Sequence, residues 1–576
     1  MRAFRSIAGW RARRVTGVTW VRLDRANLAA LGRRSRQVLL LAGTTGVVTG
    51  LLVSGFEALS RDVLLDWLLD QPLAVQAGGP LAGLLLATAA LRWLARGAGT
   101  GTADEYIRAF HDPARPLDLR LVPGRLLAAV ATLGLGAPLG YEGPSIYAGA
   151  SVGTLIQRRL RRLFTPDESK VLLVAGAAAG VAAIFKAPVT GLVFALEVPY
   201  QEDLAHRMLL PATIASAASY VTHAAISGTE PILPVAGQPP FNLVDLGGAA
   251  AVGLACGVLA RLFVAIIRMA KRMSLQGRPA VRAVAAGAAL AAFFAAGRGL
   301  TGESLALGPG YEALRYALHP DRSVWLIVAL GTMRVAATAV TVAGGGVGGL
   351  FIPLVIQGAL VGRAASGLFG SANATLFPVV GIAAFLGAGY RVPLAAVVFV
   401  AEFTGRPGFV VPGLIAAVVA QLTMGRASIS PHQVAGRVGH LERRLRLPLA
   451  AMIDAEARTV PPHATVEELF WQHLVGTRQR SVAVVDGARY LGMARADELA
   501  QLERQEWPTT VVTAVMRTDV PVATPDWSVR DAIRAMEGAA VDRLPVCHDE
   551  RFIGVITATD IVRLDEILDT TQGGTD

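Results

Sequence analysis

Charge, lysine and cysteine are what this 576-residue chain has little of. Charged residues make up 17% while hydrophobic ones reach 53%, and mean hydropathy is +0.49, which excludes an ordinary soluble domain. The chain reads instead as a polytopic membrane protein. Its only cysteines, Cys256 and Cys547, exclude a disulfide framework and a cysteine metal site. No nucleophile–base pair, metal cluster or phosphate loop falls at a useful spacing, which argues against an enzyme and against a required cofactor or metal. Three lysines against 51 arginines point, by association, to a GC-rich bacterial origin and hence to the plasma (inner) membrane.

The net charge of +11 would suit nucleic acid, but its placement argues otherwise. Residues 1–36 carry ten arginines against one acid, Asp24, directly before the apolar run that starts at Val38. That is the positive-inside pattern, and it puts the N-terminus in the cytoplasm. The basic run is too long, and lacks a small-residue cleavage site in the right place, for a signal peptide. A second basic cluster, Arg437, Arg443, Arg444 and Arg446, closes the apolar region and puts the C-terminal end in the cytoplasm too.

Between these clusters lie about twelve helix-length apolar stretches, several shorter than the ~20 residues of a bilayer crossing or broken by Gly and Pro. Broken helices are tolerated at membrane depth only where protein or a watery cavity satisfies the freed backbone groups. The region also repeats itself. Pro144, Gly149 and Gly153 recur as Pro353, Gly358 and Gly362, an offset of 209. Gly176, Phe185-Lys186, Pro188, Phe194 and Glu197 recur as Gly381, Tyr390-Arg391, Pro393, Phe399 and Glu402, an offset of 205. Paired repeats with interrupted helices predict a transport fold whose site lies between the halves, where helix N-termini converge on an anion.

Gly140-Tyr141-Glu142-Gly143-Pro144 is the centre of that expectation. A carboxylate at membrane depth needs a function, and a helix start with glycine beside it offers N–H donors for which an anion and the carboxylate compete. Glu142 is read as the gate of an anion path.

With these residues in hand the chain resembles the CLC family of chloride channels and proton-coupled anion exchangers. The motifs are Gly99-Thr100-Gly101 for Gly-Ser-Gly-Ile-Pro, Gly140 to Pro144 for Gly-Lys/Arg-Glu-Gly-Pro, and Gly349-Leu350-Phe351-Ile352-Pro353 for Gly-Ile/Leu-Phe-x-Pro. The resemblance implies an all-α polytopic fold of two inverted repeats with broken helices, assembled as a homodimer with one pore per subunit. It assigns the Thr100 hydroxyl and the Leu350 and Phe351 N–H groups to the central anion, with Gly143 opening the backbone beside Glu142.

Four departures bear on mechanism. Thr102-Ala103 replaces Ile-Pro, and Tyr141 replaces the usual Lys or Arg beside the gate. Val198 stands where many exchangers carry an inner proton-passing acid, and Ser430, or Ile429 with the register shifted by one, where a tyrosine often binds the central anion. Valine carries no proton, and serine leaves a wider inner mouth. These departures lead to an expectation of a voltage- or pH-gated chloride channel conducting passively, with a proton-coupled anion exchanger as the alternative. Glu197 is read as a structural end-of-helix carboxylate.

From about residue 448 short strands alternate with amphipathic helices, and two units resemble CBS domains. The domain reading is a basic segment 1–36, a transmembrane domain 37–437, a linker 438–447, CBS units 448–508 and 509–570, and a tail 571–576. The second unit keeps Thr557 and Asp560, which the resemblance assigns to an adenine nucleotide; the same pair suits an ordinary helix cap. The expected partners are thus chloride or a similar anion, protons, the lipid bilayer and a second copy, with no nucleic acid.

Overall fold

The computed structural model describes residues 25–112, 115–164, 168–230, 232, 241–318, 322–369, 375–436, 445, 447–476 and 479–561. Most of the N-terminal arginine cluster, all of the basic cluster Arg437, Arg443, Arg444 and Arg446, and the chain beyond residue 561 lie outside them. The chain divides into two compact units, Met1–Gly436 and Arg437–Asp576.

The first unit is helical, as its composition demands: at membrane depth each backbone polar group must find a partner within its own segment. Its principal helices are α1 (Arg25–Glu57), α2 (Leu73–Trp93), α3 (Ala103–His111), α4 (Val122–Gly134), α5 (Glu142–Arg159), α6 (Val171–Phe185), α7 (Pro188–Glu197) and α8 (Leu209–Ser227). They continue with α9 (Leu243–Met273), α10 (Pro279–Thr301), α11 (Tyr311–Leu318), α12 (Val324–Ala343), α13 (Phe351–Phe369), α14 (Leu376–Tyr390), α15 (Pro393–Thr404) and α16 (Val410–Met424). Among the described residues seven helices are long and apolar enough to cross a membrane, and five apolar helices are shorter. The first span runs on from α1 through a π-helical turn, Ala58–Leu65.

The sequence repeat is a repeat in space. Helices α5 and α6 touch backbone to backbone: a Cβ on Gly149 would lie 2.0 Å from the Gly176 carbonyl oxygen, and one on Gly153 1.8 Å from that of Leu172. Helices α13 and α14 make the same contacts, Gly358 against Gly381 at 2.2 Å and Gly362 against Phe377 at 1.9 Å. Any side chain at these positions would drive the helices apart, which explains why glycine recurs at both offsets. Helices α6 and α14 end alike, on Lys186 and Arg391 in the left-handed conformation (φ 51° and 58°), and Pro188 and Pro393 then restart the chain as α7 and α15.

The second unit holds a five-stranded sheet in the order β1-β2-β3-β5-β4, with β1 Thr459–Val460, β2 Ser481–Asp486, β3 Arg489–Arg495, β4 Arg543–His548 and β5 Arg551–Thr557. Two antiparallel hairpins, β2–β3 and β4–β5, meet at Arg489 and Arg551. The sequence places helix starts near Thr465 and Ser528, and each has a capping box, Thr465 with Glu468 and Ser528 with Asp531.

Candidate anion site between the two repeats

Gly140 and Gly349 form an antiparallel bridge, Gly140 N donating to Gly349 O (2.9 Å) and Gly349 N to Gly140 O (2.7 Å). The bridge fixes α5, starting at Glu142, against α13, starting at Phe351, so two sets of unpaired first-turn N–H groups face one place. Glu142 is 1% exposed. Its Oε1 accepts from the Phe351 N–H at 2.6 Å, and its Oε2 has no hydrogen-bond partner. A Cβ on Gly140 would lie 1.9 Å from that carboxylate and one on Gly349 2.0 Å, so only glycines leave room for it. The carboxylate is thus hydrogen-bonded through one oxygen only.

Gly143, Leu350 and Phe351 are all buried at this point. Thr100 is not brought here; it lies half-buried in the loop before α3. Thr102 takes the place expected of it, buried and with Oγ1 2.6 Å from where a Gly143 Cβ would stand. Gly99-Thr100-Gly101-Thr102 offers two registers two residues apart, and α3, starting at Ala103, selects the second.

On the far side of Phe351 lies an aromatic cluster of Phe185, Phe194, Phe399 and Tyr390, with ring centroids 4.6, 5.5, 4.8 and 6.5 Å from that of Phe351. Tyr390 is its polar member, and its hydroxyl faces the Leu350 N–H. The sequence reading missed this residue; its only signal was a hydroxyl aligned with Phe185 in the repeat. Ser430 is buried, and its Oγ accepts from the His432 N–H at 3.4 Å. The Ile429 N–H donates to Gly389 O (2.9 Å). Gln433 Nε2 donates to the carbonyls of Val198 and Tyr390, both at 2.8 Å, and thereby locks the Val198 position into the wall.

Tyr141 is buried edge-on against Phe56, so no cation sits at that sequence position. A positive charge comes from elsewhere: Arg61, on the π-helical turn, shares with Tyr141, Tyr311 and Arg298 the wall of a cavity of about 400 Å³ and is paired with Glu57 at 3.2 Å. Arg334, 2% exposed, holds the segment 305–309 that also lines this cavity, its guanidinium donating to the carbonyls of Leu305, Ala306, Leu307, Gly308 and Pro309.

Glu197 and Glu402 cap helices, but each caps a start in the opposite repeat. Glu197 accepts from the N–H groups of Leu394 (3.2 Å) and Ala395 (2.8 Å) at the start of α15. Glu402 accepts from Val189 N (3.0 Å), Thr190 N (2.7 Å) and Thr190 Oγ1 (2.6 Å) at the start of α7. In the second unit Thr557 and Asp560 bind each other: Thr557 Oγ1 and N donate to Asp560 Oδ2 (2.6 and 2.9 Å), and Asp560 N donates to Thr557 Oγ1 (3.1 Å). That is the helix-cap geometry.

Two halves joined by a glycine bridge, with a buried carboxylate between two helix starts, define an ion-transport membrane protein of inverted-repeat architecture. The model of the voltage-gated chloride channel family matches residues 82–425, more than half of the chain, and the chain belongs to that family. Its members are transporters or channels, not enzymes. A CBS-domain model matches residues 512–566. H(+)/Cl(−) exchange transporters ClcA of Yersinia pestis bv. Antiqua (strain Angola) and of Salmonella arizonae are each 27% identical, over 68% and 67% of this chain and 85% of theirs. In fold the chain is similar to a slow cyanobacterial Cl−/H+ antiporter (TM-score 0.60, 21% identity, 67% of this chain and 94% of that one). It is likewise similar to a eukaryotic CLC transporter (TM-score 0.59, 17% identity, 91% and 97%) and to a CLC-type fluoride/proton antiporter (0.55, 22%, 72% and 99%).

Proposed function

We propose that this protein exchanges chloride or a similar small anion for protons, with Glu142 as the group that both ions contend for. The observation that carries this reading is the Glu142 carboxylate, buried, with Oε1 held by the Phe351 N–H at 2.6 Å and Oε2 unpartnered. A proton on that carboxylate removes the charge that the N–H favours, and an anion can then take the donor. Exchange is preferred over the passive channel expected from the sequence because the curated relatives described above are named exchange transporters. The channel remains the second reading, favoured by Val198, which cannot bind a proton. Around this centre we place a homodimer in the plasma membrane with both termini in the cytoplasm. In the tail, an adenine nucleotide would have to displace the mutual bonds of Thr557 and Asp560; titration calorimetry of the full-length protein with ATP, ADP and AMP tests that, and no heat at millimolar ligand rejects it.

The exchange reading is tested in proteoliposomes by imposing a chloride gradient and following pH. Uphill proton movement is expected from the native protein, and E142Q should reduce it at least about tenfold while chloride still flows. Chloride flux without uphill proton movement in the native protein would reject exchange in favour of the channel.

A further inference from the structure

Helices α1 and α8 cross backbone to backbone: a Cβ on Gly46 would lie 2.3 Å from the Ala215 carbonyl oxygen, and one on Gly50 2.8 Å from that of Ser219. One turn further along both helices the same crossing sets Ser54 against His223, which are 5% and 0% exposed. Ser54 Oγ stands 2.8 Å from the Gly50 carbonyl oxygen and 2.8 Å from His223 Nδ1. On the other edge of the ring, Nε2 has no hydrogen-bond partner and faces Glu57 Oε2 at 3.4 Å. With a neutral imidazole and an ionised Glu57, these three contacts share two hydrogens, one on the serine and one on the ring, so one contact lacks its proton. A third proton, on Nε2 or on the carboxylate, completes the set. Substrate cannot reach so deeply buried a serine, whereas the Glu57 side chain is 15% exposed and gives a proton its way in. We infer that Ser54, His223 and Glu57 form a proton-binding site separate from Glu142, whose occupancy sets the positive charge that Arg61 presents to the cavity beside the gate.

Glu57 is the link. Its Oε1 accepts from Arg61 Nη1 at 3.2 Å, and Arg61 lines the cavity of about 400 Å³ that Tyr141 also lines. Phe56, the residue before Glu57, meets the Tyr141 ring edge-on at 6.1 Å, and the Tyr141 hydroxyl is buried without a partner. Glu142 is the next residue. Without the third proton, Glu57 neutralises Arg61. With it, Glu57, His223 and Arg61 together carry one positive charge, wherever the proton sits. The other charged groups facing His223 and Glu57 are Asp62 on the π-helical turn and Lys186 at the end of α6, whose Nζ donates to the Ser227 carbonyl at 2.7 Å. Around the cavity, Glu303 and Glu312 have arginines of their own, Arg322 at 3.9 Å and Arg315 at 2.5 Å. Asp66 and Arg298 then balance each other, and the state of Arg61 decides the sign of the wall. A positive wall concentrates anions next to the gate.

Proteoliposomes of the full-length protein test this in an E142Q background, where the gate itself carries no titrating carboxylate. Chloride uptake is measured against chloride concentration at acidic and at alkaline pH, set equal on both sides. Acidification should lower KM by about threefold, the effect of one charge acting across a wet cavity. E57Q should hold KM at the acidic value throughout, because Arg61 is then never neutralised. H223Q should hold it at the alkaline value, R61Q should raise it at every pH, and R61K should keep the original dependence. Opposite shifts in E57Q and R61Q are what a merely structural contact would not give, and they carry the test if H223Q fails to fold. The inference falls if KM in the E142Q protein ignores pH, if E57Q keeps the full dependence, or if E57Q and R61Q lower the maximal rate alike with KM unchanged. No proton flux is read, so failure here leaves the exchange reading intact, and a native protein that moves no protons uphill leaves this site standing.

Discussion

At the scale of single residues the site is a matter of tenths of an ångström. The Glu142 carboxylate fits because Gly140 and Gly349 carry no Cβ. G349A should therefore expel the carboxylate from the Phe351 N–H, giving a protein that leaks chloride at all pH values and is destabilised by about 1–3 kcal/mol through overpacking. Chloride efflux at high and low pH, together with a melting curve in detergent, checks this; efflux that keeps its native pH dependence would contradict it. T102A should weaken chloride binding by about tenfold to a hundredfold while T100A changes it by less than about twofold, since losing a hydrogen bond to an ion costs about 1.5–3 kcal/mol. Calorimetric titration of chloride on both variants decides between the two registers. Glu142 was legible in the sequence because a charge among glycines in an apolar run has few other uses. Thr102 was hidden by the doubled Gly-Thr. Tyr390 was hidden because only the packing of α14 against α13 and α7 gives its ring the neighbours Phe351 and Phe194, and no local pattern records that.

At the scale of elements, the repeat organises everything, and it was the most legible feature of the chain. Glycines at matched offsets mark the backbone contacts of α5 with α6 and of α13 with α14. The two glutamates at the ends of α7 and α15 looked like matching helix-end carboxylates in the sequence. Their crossing over, each onto the start of the other's helix, could not be read there, because it depends on how the halves are set against each other. Each carboxylate answers N–H groups that a broken helix leaves bare. E402A, which removes three accepted hydrogen bonds, should lower the melting temperature more than E197A, which removes two, with losses of about 1–3 kcal/mol for each donor left unsatisfied. Equal melting temperatures for the two variants and the native protein would refute the capping role. Helices α3 and α11 escaped the hydropathy reading because Asp104, Glu105, Arg108 and His111 in the one, and Glu312 and Arg315 in the other, interrupt the apolar pattern.

At the scale of the whole molecule, composition and charge placement suffice to define a membrane unit followed by a sheet-containing tail. They do not decide whether anions flow passively or in exchange. The sequence leaned on Val198 and Ser430, one position in each repeat's neighbourhood, and took the lack of an acid there as the lack of a proton route. The most direct test is the reversal potential of the reconstituted protein in a fixed chloride gradient, measured with and without a superimposed pH gradient. The account predicts that the reversal potential moves with the pH gradient, since coupled ions share one equilibrium. A potential that stays at the chloride equilibrium value whatever the pH gradient would contradict it and restore the passive channel.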